Sequence, residues 1–143
     1  MKIRSLFIVD LFLVLFFIST VYTGIALHMA GHSDEHVVWH NWAVAHVLFS
    51  LFFVIVAVLH IKQHWGWYKS LVQKFVHKKK VTLILTVAFL LVVLTGLFLL
   101  CFGEGANTPV GLLHYKIGIF MGILGIGHFL KRYKILAKGL KSC

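Results

Sequence analysis

The chain has 143 residues, 60% of them hydrophobic, with only four acidic residues and one proline. This is more apolar side chain than a water-soluble domain of that length can bury, so the composition excludes a soluble globular protein and predicts a membrane protein. The formal net charge of +10 would suit a nucleic-acid partner, but the basic residues cluster beside apolar segments, which argues against one.

Four apolar segments follow one another along the chain, over residues 5–27, 37–61, 81–102 and 110–130. Each reaches the length of about 20 residues that a helix needs to cross a bilayer. The segments leave almost no chain for a soluble domain. We therefore predict an all-α fold, a transmembrane four-helix bundle that forms a single membrane domain over residues 1–143.

The first segment follows the basic stretch MKIR and so resembles a secretory signal peptide at its start. Its apolar run is longer than the hydrophobic region of a signal peptide, and no small-residue cleavage site closes it. We therefore expect this segment to remain in the protein as its first transmembrane helix.

Charged residues outside the segments predict the orientation in the membrane. Basic residues precede the first segment, lie between the second and third, and follow the fourth: Lys2, Arg4, Lys62, Lys69, Lys74, Lys78, Lys79, Lys80, Lys131, Arg132, Lys134, Lys138 and Lys141. The acidic residues Asp34, Glu35 and Glu104 fall in the two opposite loops. The positive-inside rule places both termini in the cytoplasm, with anionic membrane lipid as the partner of the basic residues.

The second half of the chain repeats features of the first. Thr23-Gly24 near the outer end of the first segment matches Thr95-Gly96 in the third. Each half also has a histidine pair with the spacing H-x13-H: His46 with His60, and His114 with His128. The chain is therefore predicted to be a duplicated helical hairpin whose halves share one orientation, so that the second and fourth helices run in the same direction.

The two histidines of each pair point the same way from their helix. Fourteen residues along an α-helix span about 21 Å and fall roughly 40° short of four full turns. If the second and fourth helices face each other, His46 is level with His114 near the outer leaflet, and His60 is level with His128 near the inner leaflet. The sequence thus predicts two histidine clamps stacked through the membrane.

A clamp of two neutral imidazoles suits haem iron, which takes axial ligands on opposite faces of the porphyrin. The chain has no C-x-x-C-H motif, which argues against covalently attached haem. The alternative is four core histidines that form hydrogen bonds between helices. Zinc would usually need more than two ligands at each level.

Small residues lie one turn from each of these histidines, toward the membrane centre: Ser50, Ala57, Gly118 and Gly125. A porphyrin between helices needs the backbone close to its faces, and small side chains allow this approach. They also serve ordinary helix packing, and Gly118 with Gly122 forms a G-x-x-x-G motif of that kind.

Polar residues occur at the inner ends of the helices. His64 and Arg132 lie one turn beyond the inner pair, at equivalent positions of the repeat. Arg132 either binds haem propionates through paired hydrogen bonds or is a positive-inside residue. Asp10, within the first segment, either relays protons at an inner quinone site or pairs with a nearby lysine.

Histidines also recur every four residues around the first outer loop: His28, His32, His36 and His40. With Asp34 and Glu35 they could gather a divalent metal, relay protons from an oxidised quinol, or be solvated loop residues. His40 is a less suitable outer ligand than His46, because it lies about 30 Å along a helix from His60, and the second half has no counterpart.

The twin H-x13-H pairs, in which Ser50 or Gly118 follows the first histidine by four residues, resemble the haem ligation of the cytochrome b subunit of quinol–cytochrome c reductases. The short four-helix format, with HIKQHWGWYKSL at the second histidine, more closely resembles small bacterial membrane proteins related to the cytochrome b subunits of hydrogenases and formate dehydrogenases. This second resemblance covers nearly the whole chain. Unlike those larger subunits, the chain has no histidine at the inner end of its first segment.

The resemblance implies that His46, His60, His114 and His128 are axial ligands of two b-type haems in a bacterial inner membrane. It also implies transmembrane electron transfer between quinone or quinol and a partner, either a redox protein or a second copy of the chain. Two other functions stay open at this point. One is a haem or metal handling protein, such as a carrier or ferric reductase, and the other is a haem-bearing anchor subunit of a larger oxidoreductase.

Overall fold

The computed structural model describes residues 3–32, 36–66, 68–69, 80–102 and 107–141. Four helices make up nearly all of these residues: α1 (Ile3–Ala30), α2 (His36–Gln63), α3 (Lys80–Phe102) and α4 (Pro109–Lys141). Each contains a stretch long and apolar enough to cross a membrane. The predicted all-α, four-helix transmembrane fold is confirmed, and the chain is a multi-pass membrane protein.

The start of α4 has a clear local cause. The backbone N–H of Gly111 donates to Thr108 Oγ1 at 3.1 Å, which caps the helix, and Pro109 occupies the first helical position. The helix then runs beyond the predicted end at residue 130 to Lys141. The added turns are rich in lysine, and all but their first three residues lie beyond the span that ends at Tyr133.

The helices pack as two hairpins joined side by side. Helix α1 lies along α2, α3 lies along α4, and α1 also packs against α4. The fourth side of the bundle is closed by the rings of Phe53 on α2 and Phe89 on α3, whose centroids are 5.9 Å apart. Helices α2 and α4 therefore stand at opposite corners of the bundle, facing each other across its interior, as the histidine pattern predicts.

A small core at the middle of the bundle joins the helices, and Phe16 and Phe17 of α1 pack against it. Its buried members come from α2, α3 and α4: Phe53, Ala57, Ala88, Phe89 and Met121. Ala57, which the sequence suggested as a small neighbour of a porphyrin, packs in this core. Most other large apolar side chains are exposed on the outside of the bundle, where a membrane protein meets lipid.

Candidate functional site

The structure brings together the two histidines predicted to lie level near the outer ends of the helices. The ring centroids of His46 on α2 and His114 on α4 are 6.2 Å apart, and the ring planes are inclined at 80°. The side chains come from opposite corners of the bundle, so they meet in its interior rather than on its surface.

Each of these rings is held by a threonine from the other helix of its own hairpin. Thr23 Oγ1 on α1 lies 3.2 Å from Nδ1 of His46, and Thr95 Oγ1 on α3 lies 2.9 Å from Nδ1 of His114. The two contacts use equivalent atoms of equivalent residues. The internal repeat seen in the sequence is therefore also a repeat of side-chain geometry.

The threonine hydroxyls determine which ring nitrogen carries the proton. Thr23 Oγ1 donates its hydrogen to the carbonyl of Ser19 at 2.8 Å, and Thr95 Oγ1 donates its hydrogen to the carbonyl of Leu91 at 2.8 Å. A hydroxyl has only one hydrogen and a carbonyl has none to give, so the imidazole Nδ1–H must donate to the threonine. Nε2 then carries the lone pair on both rings, and this is a form in which imidazole binds metals.

The glycine after each threonine leaves room for the ring. A Cβ atom added to Gly24 would lie 3.0 Å from Cε1 of His46, and one added to Gly96 would lie 3.0 Å from Cε1 of His114. The sequence marked Thr-Gly only as a sign of duplication. Its position against the histidine ring was not predicted, although Thr-Gly recurs in both halves together with a histidine pair.

The two rings line a cavity of about 480 Å³ in the half of the bundle predicted to face outward. This volume is within the range of about 300–1,000 Å³ typical of small-molecule sites. The lining is mostly apolar and includes the predicted small residues Ser50 and Gly118. A Cβ atom on Gly118 would have nothing within 4 Å. Thr20 also lines the cavity, and its buried Oγ1 has no hydrogen-bond partner among the described residues.

The ring centroids of His46 and His114, 6.2 Å apart, are close enough for one metal ion to bind a nitrogen of each ring. His46, and not its sequence rival His40, lines the cavity.

At the inner level, a carboxylate holds the histidine of α2 in place of a threonine. Nδ1 of His60 on α2 donates to a carboxylate oxygen of Asp10 on α1 at 2.8 Å. Within the described residues Asp10 is thus paired with a histidine and not with the lysine that the sequence offered as one alternative; a proton relay stays a prediction. His128 on α4 lies near enough to His60 for an electrostatic interaction. Asp10 also fixes the tautomer of His60, because an ionised carboxylate only accepts hydrogen bonds.

His64, one turn beyond His60, joins this inner group. The two ring centroids are 4.7 Å apart, and ligand atoms of Asp10, His60 and His64 all lie within 4.8 Å of one another. Partial burial lowers the pKa of His64, and the neighbouring His60 acts in the same direction. Arg132 is exposed on α4.

Gly125 contacts α1 in this structure. A Cβ atom on Gly125 would lie 2.6 Å from Cζ of Phe17. The ring of Phe17 also packs on Phe53, with centroids 5.9 Å apart. Gly125 therefore allows an aromatic side chain of α1 to reach the bundle interior at this level.

The outer histidines do not form a three-ligand group within the part of the chain that the structure describes. The ring of His28 stacks on Tyr115, with centroids 3.8 Å apart, and both residues line the cavity. Nδ1 of His32 donates to the carbonyl of His28 at 2.9 Å. His36 packs near Trp39, and His40 is exposed. Asp34 and Glu35 lie outside the described residues.

A comparison of the chain with protein-family models, with curated proteins and with solved structures finds no match. No relative therefore supplies an activity, a ligand or a partner. The chemistry of the site follows from its own donors, their spacing and the cavity between them.

Proposed function

We propose that the chain is a di-haem b-type cytochrome that transfers electrons across a bilayer. His46 and His114 would hold one haem in the outer half of the bundle, and His60 and His128 would hold a second in the inner half. The observation that carries the proposal is the outer pair: two imidazoles 6.2 Å apart, from opposite corners of the bundle, each with Nδ1–H bound to threonine.

The donor set supports haem better than a bare metal ion. A bis-imidazole pair supplies the two axial ligands of a porphyrin iron, whereas zinc usually takes four protein ligands in a structural site. The mostly apolar lining suits a flat macrocycle, and Gly118 and Ser50 leave space beside the histidines. The inner pair is proposed from the internal repeat. There Asp10 accepts the hydrogen bond of His60, whereas threonines accept those of the outer pair.

Two histidine ligands would favour electron transfer over catalysis at the metal. A haem held by His46 and His114 would supply one-electron chemistry between ferric and ferrous iron. The protein residues then have three tasks: the histidines bind, the threonines and Asp10 orient the rings, and the apolar cavity wall excludes water.

We propose quinol or quinone as one redox partner, because the protein is a membrane protein with protonatable groups at both ends. Oxidation of a quinol to a quinone releases two electrons and two protons. His28, stacked on Tyr115, lies at the outer end, and Asp10 and His64 lie at the inner end. The second partner is a redox protein or another copy of the chain. We place both termini in the cytoplasm of a bacterium, with the chain in the inner membrane.

One alternative has an observation of its own. The ligand atoms of Asp10, His60 and His64 are close enough to share a metal ion, which is a feature of a metal handling protein. In that case His60 would bind the metal and would not pair with His128. A haem-bearing anchor subunit would keep both haems but exchange electrons only with a docked enzyme.

The purified chain, produced in cells that supply haem, tests the proposal. We expect about two haems per chain with low-spin, six-coordinate spectra, and rapid haem reduction on mixing with a quinol analogue. A quinone-site inhibitor should slow the reduction. Binding of zinc without haem would support metal handling, whereas haem reduced only by a protein partner would support the anchor subunit.

A further inference from the structure

The two halves of the duplicated hairpin differ at one position beside the histidines. Asp10 on α1 and Thr82 on α3 are related by the spacing that relates Thr23 to Thr95. The second half therefore has threonine where the first half has aspartate. The carboxylate of Asp10 accepts the hydrogen bond of His60 at 2.8 Å, and this makes the inner pair chemically different from the outer pair.

The difference affects how strongly the ring donates electrons. A carboxylate that accepts from Nδ1–H gives a shorter, charge-assisted bond and makes Nε2 a more basic metal ligand. The outer rings have only neutral hydroxyl acceptors, at 3.2 Å on His46 and 2.9 Å on His114. A more basic ligand and a nearby negative charge both favour ferric over ferrous iron, because the ferric ion carries one more positive charge.

Cations at the inner end act in the opposite direction. Lys131 and Arg132 lie close enough to His128 to interact with it. Both are exposed, so water and salt screen their charges. Asp10, with 34% of its side chain exposed, is bonded directly to a ligand. We therefore expect Asp10 to affect the reduction potential of the inner haem more than the screened cations do.

We infer that Asp10 is a positioning residue that sets the inner haem at a lower reduction potential than the outer haem. This inference rests on the proposed function. Its consequence is a direction: electron transfer is favourable from the cytoplasmic end of the bundle to the outer end. The arrangement suits a donor at the cytoplasmic side and an acceptor of higher potential, such as a quinone or an oxidised redox protein, at the outer side.

Redox titration of the haem-loaded protein, followed by its absorption spectrum, tests the inference. The parent should titrate in two steps. Asp10→Asn keeps the shape but removes the charge, so the lower potential should rise and the two steps should move together. Asp10→Thr, which makes the halves alike at this position, should do the same. Asp10→Glu should keep the steps apart.

Two control variants assign the steps. Thr95→Val changes the outer pair and should move only the higher potential. Arg132→Gln removes a screened cation and should move the lower potential slightly downward. These shifts distinguish a specific effect of Asp10 from a general effect of charge at the inner end.

Several outcomes would overturn the inference while leaving the proposed function intact. One is two haems whose potentials do not change in Asp10→Asn and Asp10→Thr. Another is loss of one haem in both variants, because Asp10 would then hold the ring rather than tune it. A parent chain that binds no haem, or one, would instead contradict the proposed function itself.

Discussion

Thr95 Oγ1 lies 2.9 Å from Nδ1 of His114 while donating its own hydrogen to the carbonyl of Leu91. This chain of two hydrogen bonds ties the ring orientation to the backbone of α3, although His114 belongs to α4. Thr23 does the same for His46 from α1. The Nε2 atom of each ring, which we propose as the haem ligand, is thus oriented by the neighbouring helix of its hairpin.

Replacing the threonines should weaken haem binding at the outer pair. Thr23→Val and Thr95→Val keep the side-chain shape but remove the acceptor for Nδ1–H. Loss of the group that accepts a hydrogen bond from a histidine ligand typically costs about 10- to 100-fold in metal affinity. Haem titration of the apoprotein measures the change. Thr23→Ser and Thr95→Ser keep a hydroxyl and should retain most of the affinity; equal losses in the serine and valine variants would contradict the proposed role.

Enlarging the glycine beside the ring should displace it. In Gly96→Ala the new Cβ would lie 3.0 Å from Cε1 of His114, so the ring must move or the helices must separate. We expect the outer haem to be lost or to become five-coordinate, as seen in its absorption spectrum.

Gly127→Ala is the matched control, because a Cβ at Gly127 has nothing within 4 Å. Alanine is favoured over glycine within a helix by about 1 kcal/mol, so both variants gain in helix propensity. Only Gly96→Ala should lose haem. A Gly96→Ala protein with a normal spectrum would show that the ring does not need this space.

The fold could be predicted from the sequence because a bilayer imposes a length and a composition on each helix. Those constraints say less about where a helix ends outside the membrane. Helix α4 continues to Lys141 rather than ending near residue 130, since its lysine-rich end still favours helix while no longer suiting lipid.

The site could be predicted in part. The helical period alone made His46 and His114 neighbours once α2 and α4 faced each other. The contact between Asp10 and His60, and that between Phe17 and Gly125, depend on how α1 is rotated and how closely it approaches α2 and α4. Hydropathy gives no information on that rotation, because the outside of every helix is apolar as well.

The contact between Phe17 and Gly125 predicts a compensating pair of substitutions. Gly125→Ala places a Cβ where it would lie 2.6 Å from Cζ of Phe17. Overpacking of this kind typically destabilises by about 1–3 kcal/mol. Phe17→Leu in the same chain should restore part of the loss, as measured by thermal unfolding in detergent. If Phe17→Leu adds to the loss, the two side chains do not meet as described.

Single replacement of the four histidines should separate the two levels. His46→Ala or His114→Ala should remove the outer haem and leave the inner one, because a porphyrin iron held at one face loses its six-coordinate, low-spin state. His60→Ala or His128→Ala should remove the inner haem only. Haem content and low-temperature spectra of the four variants measure this. His40→Ala, a neighbouring exposed histidine on α2, should retain both haems. Equal loss in all four variants, or loss of the outer haem in His40→Ala, would show that the ligands are paired differently.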